Sequence, residues 1–331
     1  MIRDAPAEAL VDADRFRESV MTVGDPVVVR GATRHWPMMH TGIPQAVIDA
    51  LTRHDAGEMA EVFVGDAAIG ARYHYDDAMA GFNFRRETMP FGAALSAILT
   101  TADLPDRPSL YMGSLTAERF CPGIEAEVRL PIVPAGVRPR LWIGHASVVA
   151  CHYDTMDNIA CVAAGRRRFT LFPPDAIADL YVGPIDHNMA GQPVALAVGS
   201  APGDRRYPLF ERARHRALVV ELEAGDALYV PKLWWHQVEA TASFNVLVNY
   251  WWDGFATGPD QPYTTMLLAM TAIASRPAPE RAAWRAWFDH YVFRPNGHPL
   301  AFLPNERHGI LSAGRENIAR VRAMAMRLLR G

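Results

Sequence analysis

Through the middle of the chain, apolar and polar positions alternate in short runs broken by Gly, Pro and Asp. LWIG, VVACHYD, NIACVAAG, RRFTLFPP, ALVVELEAGDALYVP, HQVEATA and FNVLVNYWW are rich in β-branched and aromatic residues. Closely spaced strands of this kind predict an antiparallel sandwich or barrel. Upstream the pattern is mixed: helix over 7–22, a buried strand at 26–31 ending in a glycine turn, and helix over 45–54. A strand at 61–65, a helix over 91–100 and a strand at 109–115 follow. From about 260 onward the apolar spacing becomes three and four residues, in YTTMLLAMTAIAS, ERAAWRAWFDHYVF and AGRENIARVRAMAMRLLR, which predicts helices. The expected fold class is mainly β with flanking helices. A β core over about 105–253 follows N-terminal α/β elements and precedes a C-terminal helical region over about 260–330. No repeat or Gly/Ser linker divides the chain, so one domain over 1–331 is expected.

Composition narrows the class. At 331 residues and 50% hydrophobic, the chain can bury a large core. A net charge of −3 gives no bulk attraction to nucleic acid or an acidic membrane, although clusters such as Arg166-Arg167-Arg168 leave local contact with nucleic acid open. Three cysteines, Cys121, Cys151 and Cys161, form no disulfide framework and favour a reducing compartment. The start lacks the apolar region of a secretory signal, and no apolar stretch approaches the roughly 20 residues that span a bilayer. A soluble cytoplasmic protein is the expectation.

The candidate chemistry lies at His152-Tyr153-Asp154 and at His236 in GDALYVPKLWWHQVEA. Two imidazoles and one carboxylate can hold one face of a six-coordinate metal and leave the other open, which suits non-haem Fe(II). In the predicted hairpin over 152–174, alternation puts Asn158, Ala160 and Val162 on one face. After the turn at Ala164-Gly165 it aligns Arg167, Phe169 and Leu171. An inward Arg167 requires an anion, and a carboxylate fits its guanidinium fork; an outward one is part of a basic edge with Arg166 and Arg168. Asn249, in NVLVNYWW, can point into the same barrel as Asn158.

HYDTMDNIACVAAGRRRFTLFPP and GDALYVPKLWWHQVEATASFNVLVNYWW closely resemble the JmjC-like cupin family of cupin-8 type, with PVVVRGATRHWP similar to its N-terminal entry. These are Fe(II)- and 2-oxoglutarate-dependent oxygenases related to the asparaginyl hydroxylase of hypoxia-inducible factor. The resemblance implies a double-stranded β-helix (jelly-roll, cupin) core with His152, Asp154 and His236 as iron ligands. It further implies that Arg167 grips the distal carboxylate of 2-oxoglutarate, that Tyr111 in SLYMGS hydrogen-bonds the same carboxylate, and that Asn158 and Asn249 lie beside co-substrate and metal. Arg167 stands where relatives usually have Lys, and Val149 where they often have Thr. The implied activity uses O₂ to hydroxylate, or to demethylate through hydroxylation, a protein side chain or an amino-acid-like small molecule. A homodimer through the C-terminal helices is also implied. Two other readings stay open: a cupin metalloenzyme that does not use 2-oxoglutarate, and a catalytically idle cupin that binds a ligand or partner.

Several features look like sites and are read as structure. His74-Tyr75-Asp76 repeats the tripeptide without a following glycine hairpin, and Asp289-His290-Tyr291 falls in a helical segment. His145 and His187 are expected in packing or at the mouth, and Asp157 in a turn. The tryptophan pairs 234–235 and 251–252 are expected in the core. The polar, Gly/Pro-rich segment 181–215 is the expected substrate-facing insertion. Nucleophile-elbow, dinucleotide-binding, P-loop and HExxH patterns are absent, which removes sequence support for acyl-transfer, nicotinamide-linked and zincin chemistry.

Overall fold

A computed structural model describes residues 2–40, 44–189, 191–256, 258–312 and 314–329. They fall into two compact units that divide after Gly254.

The first unit is mainly β. Its strands begin with β1 (Arg3–Ala5), β2 (Val27–Val29), β3 (Met59–Gly65), β4 (Arg72–Tyr73), β5 (Arg85–Pro90), β6 (Ser109–Thr116) and β7 (Arg140–Gly144). They continue with β8 (Ser147–His152), β9 (Asp157–Ala164), β10 (Arg166–Phe172), β11 (Leu218–Glu223), β12 (Ala227–Val230), β13 (Trp235–Ala240) and β14 (Asn245–Trp252). One sheet has the order β1-β2-β12-β9-β14-β7-β6-β3-β5 and the other β11-β10-β13-β8-β4. Pairing is antiparallel except at β1–β2 and β4–β8. Ala160, Val162, Leu228 and Leu247 of the larger sheet meet Phe169, Leu171, Val220 and Leu222 of the smaller in one buried cluster. Two facing antiparallel sheets with an apolar filling are the jelly-roll core that the strand pattern predicts.

β9 is the strand on which the core turns. All of its residues are buried, because its two faces go to different places. Ala160 and Val162 enter the inter-sheet cluster, while Ile159, Cys161 and Ala163 join the cluster that holds Phe16, Leu51 and Ile98 of the flanking helices. A strand covered on both faces reads as a continuous apolar run, which is the character of NIACVAAG. At its end Gly165 has φ 76°, and a Cβ there would fall 2.3 Å from Asn245 Oδ1. Only glycine fits that turn, where the chain leaves the larger sheet for the smaller; β9 and β10 do not pair, so the hairpin expected over 152–174 is a corner between the two sheets.

The predicted strands of the middle third and the helices Pro44–Arg53 and Phe91–Thr101 are present. The helix expected over 7–22 is instead three short pieces, Ala7–Leu10, Ala13–Phe16 and Arg17–Met21. Asp12 breaks it by accepting the Arg15 N–H at 3.0 Å and capping the second piece. β5 was not legible because it is a polar edge strand with no buried residue. The larger sheet thus also takes strands from well before residue 105.

The second unit holds the helices Pro262–Ile273, Ala278–Phe288 and Arg315–Leu329, with an Arg322–Asp260 pair at 2.9 Å. Among the described residues of these helices none is buried, and Trp284, Trp287, Met266 and Leu328 are exposed. No helix among the described residues is long and apolar enough to cross a membrane.

Candidate metal centre

Strand pairing brings the motif residues together. β13 lies between β10 and β8, and His236 pairs directly with His152. The β13–β8 register slips between His236 and Val238, which face His152 and Val149, so that Ala150 and Cys151 together oppose Gln237. This bulge puts His152 and Val149 on the same face despite their odd spacing, the usual way a bulge re-aims a side chain. Asp154 follows the strand, and its backbone carbonyl accepts the N–H of Leu233, at 2.8 Å, from the β12–β13 loop.

Among the described residues one group of His, Cys, Asp and Glu has metal-ligating spacing. It is His152, Asp154 and His236, with donor atoms within 4.8 Å of one another. His236 Nε2 lies 3.6 Å from Asp154 Oδ2. Each imidazole is oriented from behind: His152 Nδ1 contacts the Ala150 carbonyl and His236 Nδ1 the Trp234 carbonyl, both at 2.9 Å. A carbonyl can only accept, so both Nδ1 atoms carry the hydrogen and both Nε2 lone pairs point inward. Burial, with the neighbouring His152, pushes the His236 pKa down to about 4, against the raising pull of Asp154. Two imidazole Nε2 atoms converging with a carboxylate form a donor set that fits a divalent cation, and N/O donors suit iron.

Arg167 points inward. It is 3% exposed, whereas Arg166 is exposed and Arg168 pairs at the surface with Glu221 at 2.7 Å. The guanidinium Nε and Nη2 are buried with no hydrogen-bond partner among the described residues. Burial lowers the Arg167 pKa, with Tyr111 opposing that shift. Arg167, Tyr111, Asn158 and Asn249 line one cavity with the triad. Asn249 Nδ2 donates to Asn158 Oδ1 at 2.9 Å, and Trp142 Nε1 donates to Asn249 Oδ1 at 2.6 Å. The amides are thereby fixed as a wall of the cavity. Tyr111 stacks between Tyr73, at 5.8 Å, and Trp142, at 6.4 Å.

Sequence reasoning missed three residues. Ser147 lies on the same cross-strand row as Arg167, through Ala240, and its buried hydroxyl also has no partner among the described residues. Strand parity counted back from Val149 would have found it. Asp157 is no loose turn residue. It is buried, accepts the Tyr229 hydroxyl at 2.9 Å and the Gly254 N–H at 3.2 Å, and pairs with Lys232 at 3.3 Å. Trp251, expected as core packing, donates its indole N–H to Asp154 Oδ2 at 3.1 Å.

The other look-alikes stay apart. His74 donates its backbone N–H to Asn83 Oδ1 at 2.9 Å, and it is no member of the triad. His145 is buried and bonded to the Ile98 carbonyl at 2.8 Å. His187 stacks on Phe82 at 5.2 Å. The 181–215 segment is partly structural cover: Val194 bridges to His152, and Ala195, Ala197, Phe210 and Ala213 pack on Cys151 and Trp235. Asp289-His290-Tyr291 is helical in the second unit, as expected.

Comparison with known proteins agrees with this geometry. Residues 13–258 match the profile of the Cupin-like domain. The chain is 34% identical to lysine-specific demethylase JMJ31 of Arabidopsis thaliana over 113 residues, which cover 34% of this chain and 20% of that protein. It is 38% identical to tRNA wybutosine-synthesizing protein 5 of Mus musculus over 114 residues, 34% of this chain and 32% of that one. It is 26% identical to the human bifunctional peptidase and (3S)-lysyl hydroxylase JMJD7 over 260 residues, 69% and 77% of the two chains. The chain therefore spans a third or less of the first two. With the domain match covering most of the chain, and a His-Asp-His cluster inside a two-sheet jelly roll, the protein belongs to the Cupin-like domain family, among the JmjC-type cupins.

Proposed function

We propose that this protein is an Fe(II)- and 2-oxoglutarate-dependent dioxygenase that hydroxylates, or demethylates through hydroxylation, a protein side chain or an amino-acid-like small molecule. The observation that carries the reading is the buried Arg167, whose Nε and Nη2, without a partner among the described residues, share a cavity with His152, Asp154 and His236. A buried cation facing an N/O metal site calls for an anionic ligand that also reaches the metal, and a dicarboxylate with a 2-oxo group satisfies both ends. His152, Asp154 and His236 would hold the iron; Arg167, with Tyr111, would hold the distal carboxylate of the co-substrate. When bound, iron and 2-oxoglutarate supply the oxidising chemistry with O₂, yielding succinate and CO₂ as the substrate is oxidised.

The chain's own residues bind, orient and exclude water. Asn158 and Asn249 hold each other beside the metal ligands, and Tyr111, Trp142 and Trp251 make the walls apolar. The names of the relatives span lysyl hydroxylation, lysine demethylation and tRNA modification. The net charge of −3 favours the protein or amino-acid class over a polyanion. Three free, buried cysteines accord with a reducing, cytoplasmic setting. The exposed apolar helices of the second unit support pairing with a second copy of the chain, for which sedimentation mass is the test.

The experiment for the activity is succinate formation with Fe(II), 2-oxoglutarate and O₂, comparing wild type with His152→Ala. Slow, metal-dependent succinate release that His152→Ala abolishes is the expected result. Metal binding without any 2-oxoglutarate consumption replaces this reading with a different cupin metalloenzyme, and no metal binding replaces it with a binding protein.

A further inference from the structure

We propose that Trp251 is a positioning residue for Asp154, acting through its indole N–H, with the Arg140 guanidinium stacked behind it. The proposal rests on the reading of His152, Asp154 and His236 as a metal site. Trp251 Nε1 lies 3.1 Å from Asp154 Oδ2, and the same oxygen lies 3.6 Å from His236 Nε2. A carboxylate oxygen has two lone pairs. The indole takes one, which turns the other toward the side where the two imidazole lone pairs converge.

The indole is itself held on two sides. The Arg140 guanidinium carbon lies 5.4 Å from the Trp251 ring centroid, and Arg140 Nη1 donates to the Ser114 carbonyl and hydroxyl at 3.1 and 2.9 Å. Trp142 packs edge-on at 5.6 Å and is anchored in turn by Asn249. A cation over the indole face draws density from the ring and makes the N–H a stronger donor. Asp154 is thus fixed at both ends: its carbonyl by the Leu233 N–H and its carboxylate by Trp251. Without the indole, the carboxylate rotates freely, because the terminal torsion of Asp has broad wells. The metal site then loses its preset third donor.

The test is a Co(II) titration of the full-length protein, read by equilibrium dialysis and by the visible ligand-field spectrum, for wild type, Trp251→Phe, Arg140→Met and Trp287→Phe. Trp251→Phe is expected to bind Co(II) about 10–100-fold more weakly, as outer partners of metal ligands do, with an altered spectrum. Arg140→Met is expected to lose about 2–5-fold, while Trp287→Phe, at an exposed tryptophan of the second unit, keeps the wild-type affinity and spectrum. Unchanged affinity and spectrum in Trp251→Phe overturns the proposal. Should Trp251→Phe fail to fold, Arg140→Met decides, since Arg140 is partly exposed, and unchanged Co(II) affinity there overturns it. Failure of wild type to bind Co(II) overturns the metal-site reading along with it, whereas failure confined to the variants' expected loss removes Trp251 alone.

Discussion

Replacing Arg167 by Met should make the ligand-free protein more stable while destroying co-substrate binding. The side chain is 3% exposed, and two of its nitrogens have no partner among the described residues. Burial disfavours its charged form, and Tyr111 gives only partial relief. Replacing buried charges by apolar groups of similar volume is commonly neutral or stabilising by about 1–4 kcal/mol. Met keeps the length of the stem and can pack on Phe169 and Leu247, which line the same cavity. For a unit of this size each kcal/mol moves Tm by about 2–4 °C, so the ligand-free variant should melt several degrees higher. Binding should move the opposite way. Removing one partner of a buried, hydrogen-bonded charge pair costs about 2–5 kcal/mol, a loss of about 1.5 to 3.5 orders of magnitude in 2-oxoglutarate affinity. Wild type at about 100 times Kd should gain about 2.7 kcal/mol from ligand, and the variant less than about 1 kcal/mol at the same concentration. Thermal unfolding with and without 2-oxoglutarate, in the presence of metal and without O₂, reads both effects. A variant that melts lower than wild type and still gains stability from 2-oxoglutarate would refute the reasoning.

Three further outcomes follow from the same structure. Gly165→Ala places a Cβ at φ 76° and 2.5 Å from the Phe244 carbonyl, so it should cost about 3 kcal/mol and lower Tm accordingly; a cost below about 1 kcal/mol would mean that the turn can shift. His145 is buried, and desolvation lowers its pKa from 6.5 to about 4, so the folded state holds it neutral while the unfolded chain takes up a proton. Its contribution is complete above pH 6.5 and declines as pH falls toward 4, by up to about 1.4 kcal/mol per pH unit; denaturant unfolding of His145→Gln should show a shallower acid slope, and an unchanged slope contradicts the assignment. Asp157→Asn keeps the acceptor for Tyr229 but loses the charge facing Lys232 and the second acceptor for Gly254, so stability should fall by about 1–3 kcal/mol, measured by urea unfolding, and a neutral effect would show that the β12–β14 end is held elsewhere.

What was legible in the sequence is what period-two alternation encodes. The inward set Arg167, Phe169 and Leu171 and the facing set Asn158, Ala160 and Val162 occupy the faces expected of them, because alternation holds along each strand even though β9 and β10 lie in different sheets. The meeting of His152 with His236 is a long-range pairing, readable only through the family resemblance. The bulge at Ala150 and Cys151 carries no sequence mark, yet without it His152 and Val149 would face opposite sides. Trp251 was misread for a related reason. In NVLVNYWW both final tryptophans look like core, and parity alone does not say that one of them reaches a carboxylate across the barrel. Asp157 was misread because a carboxylate after a turn is usually solvated; here Tyr229 and Lys232 arrive from a strand and a loop distant in the chain to bury it. β5 and the broken first helix were lost to local chemistry, an all-exposed edge in one case and an Asp cap in the other.

If one cavity holds a metal at His152, Asp154 and His236 and a dicarboxylate at Arg167, the two ligands bind as a coupled pair. Anaerobic calorimetric titration of 2-oxoglutarate into the full-length protein, with and without Fe(II), reads that coupling. The expected result is one 2-oxoglutarate per chain, binding that strengthens greatly when iron is present, and loss of that enhancement in His152→Ala. Binding of equal strength with and without iron, or none in either condition, would contradict it.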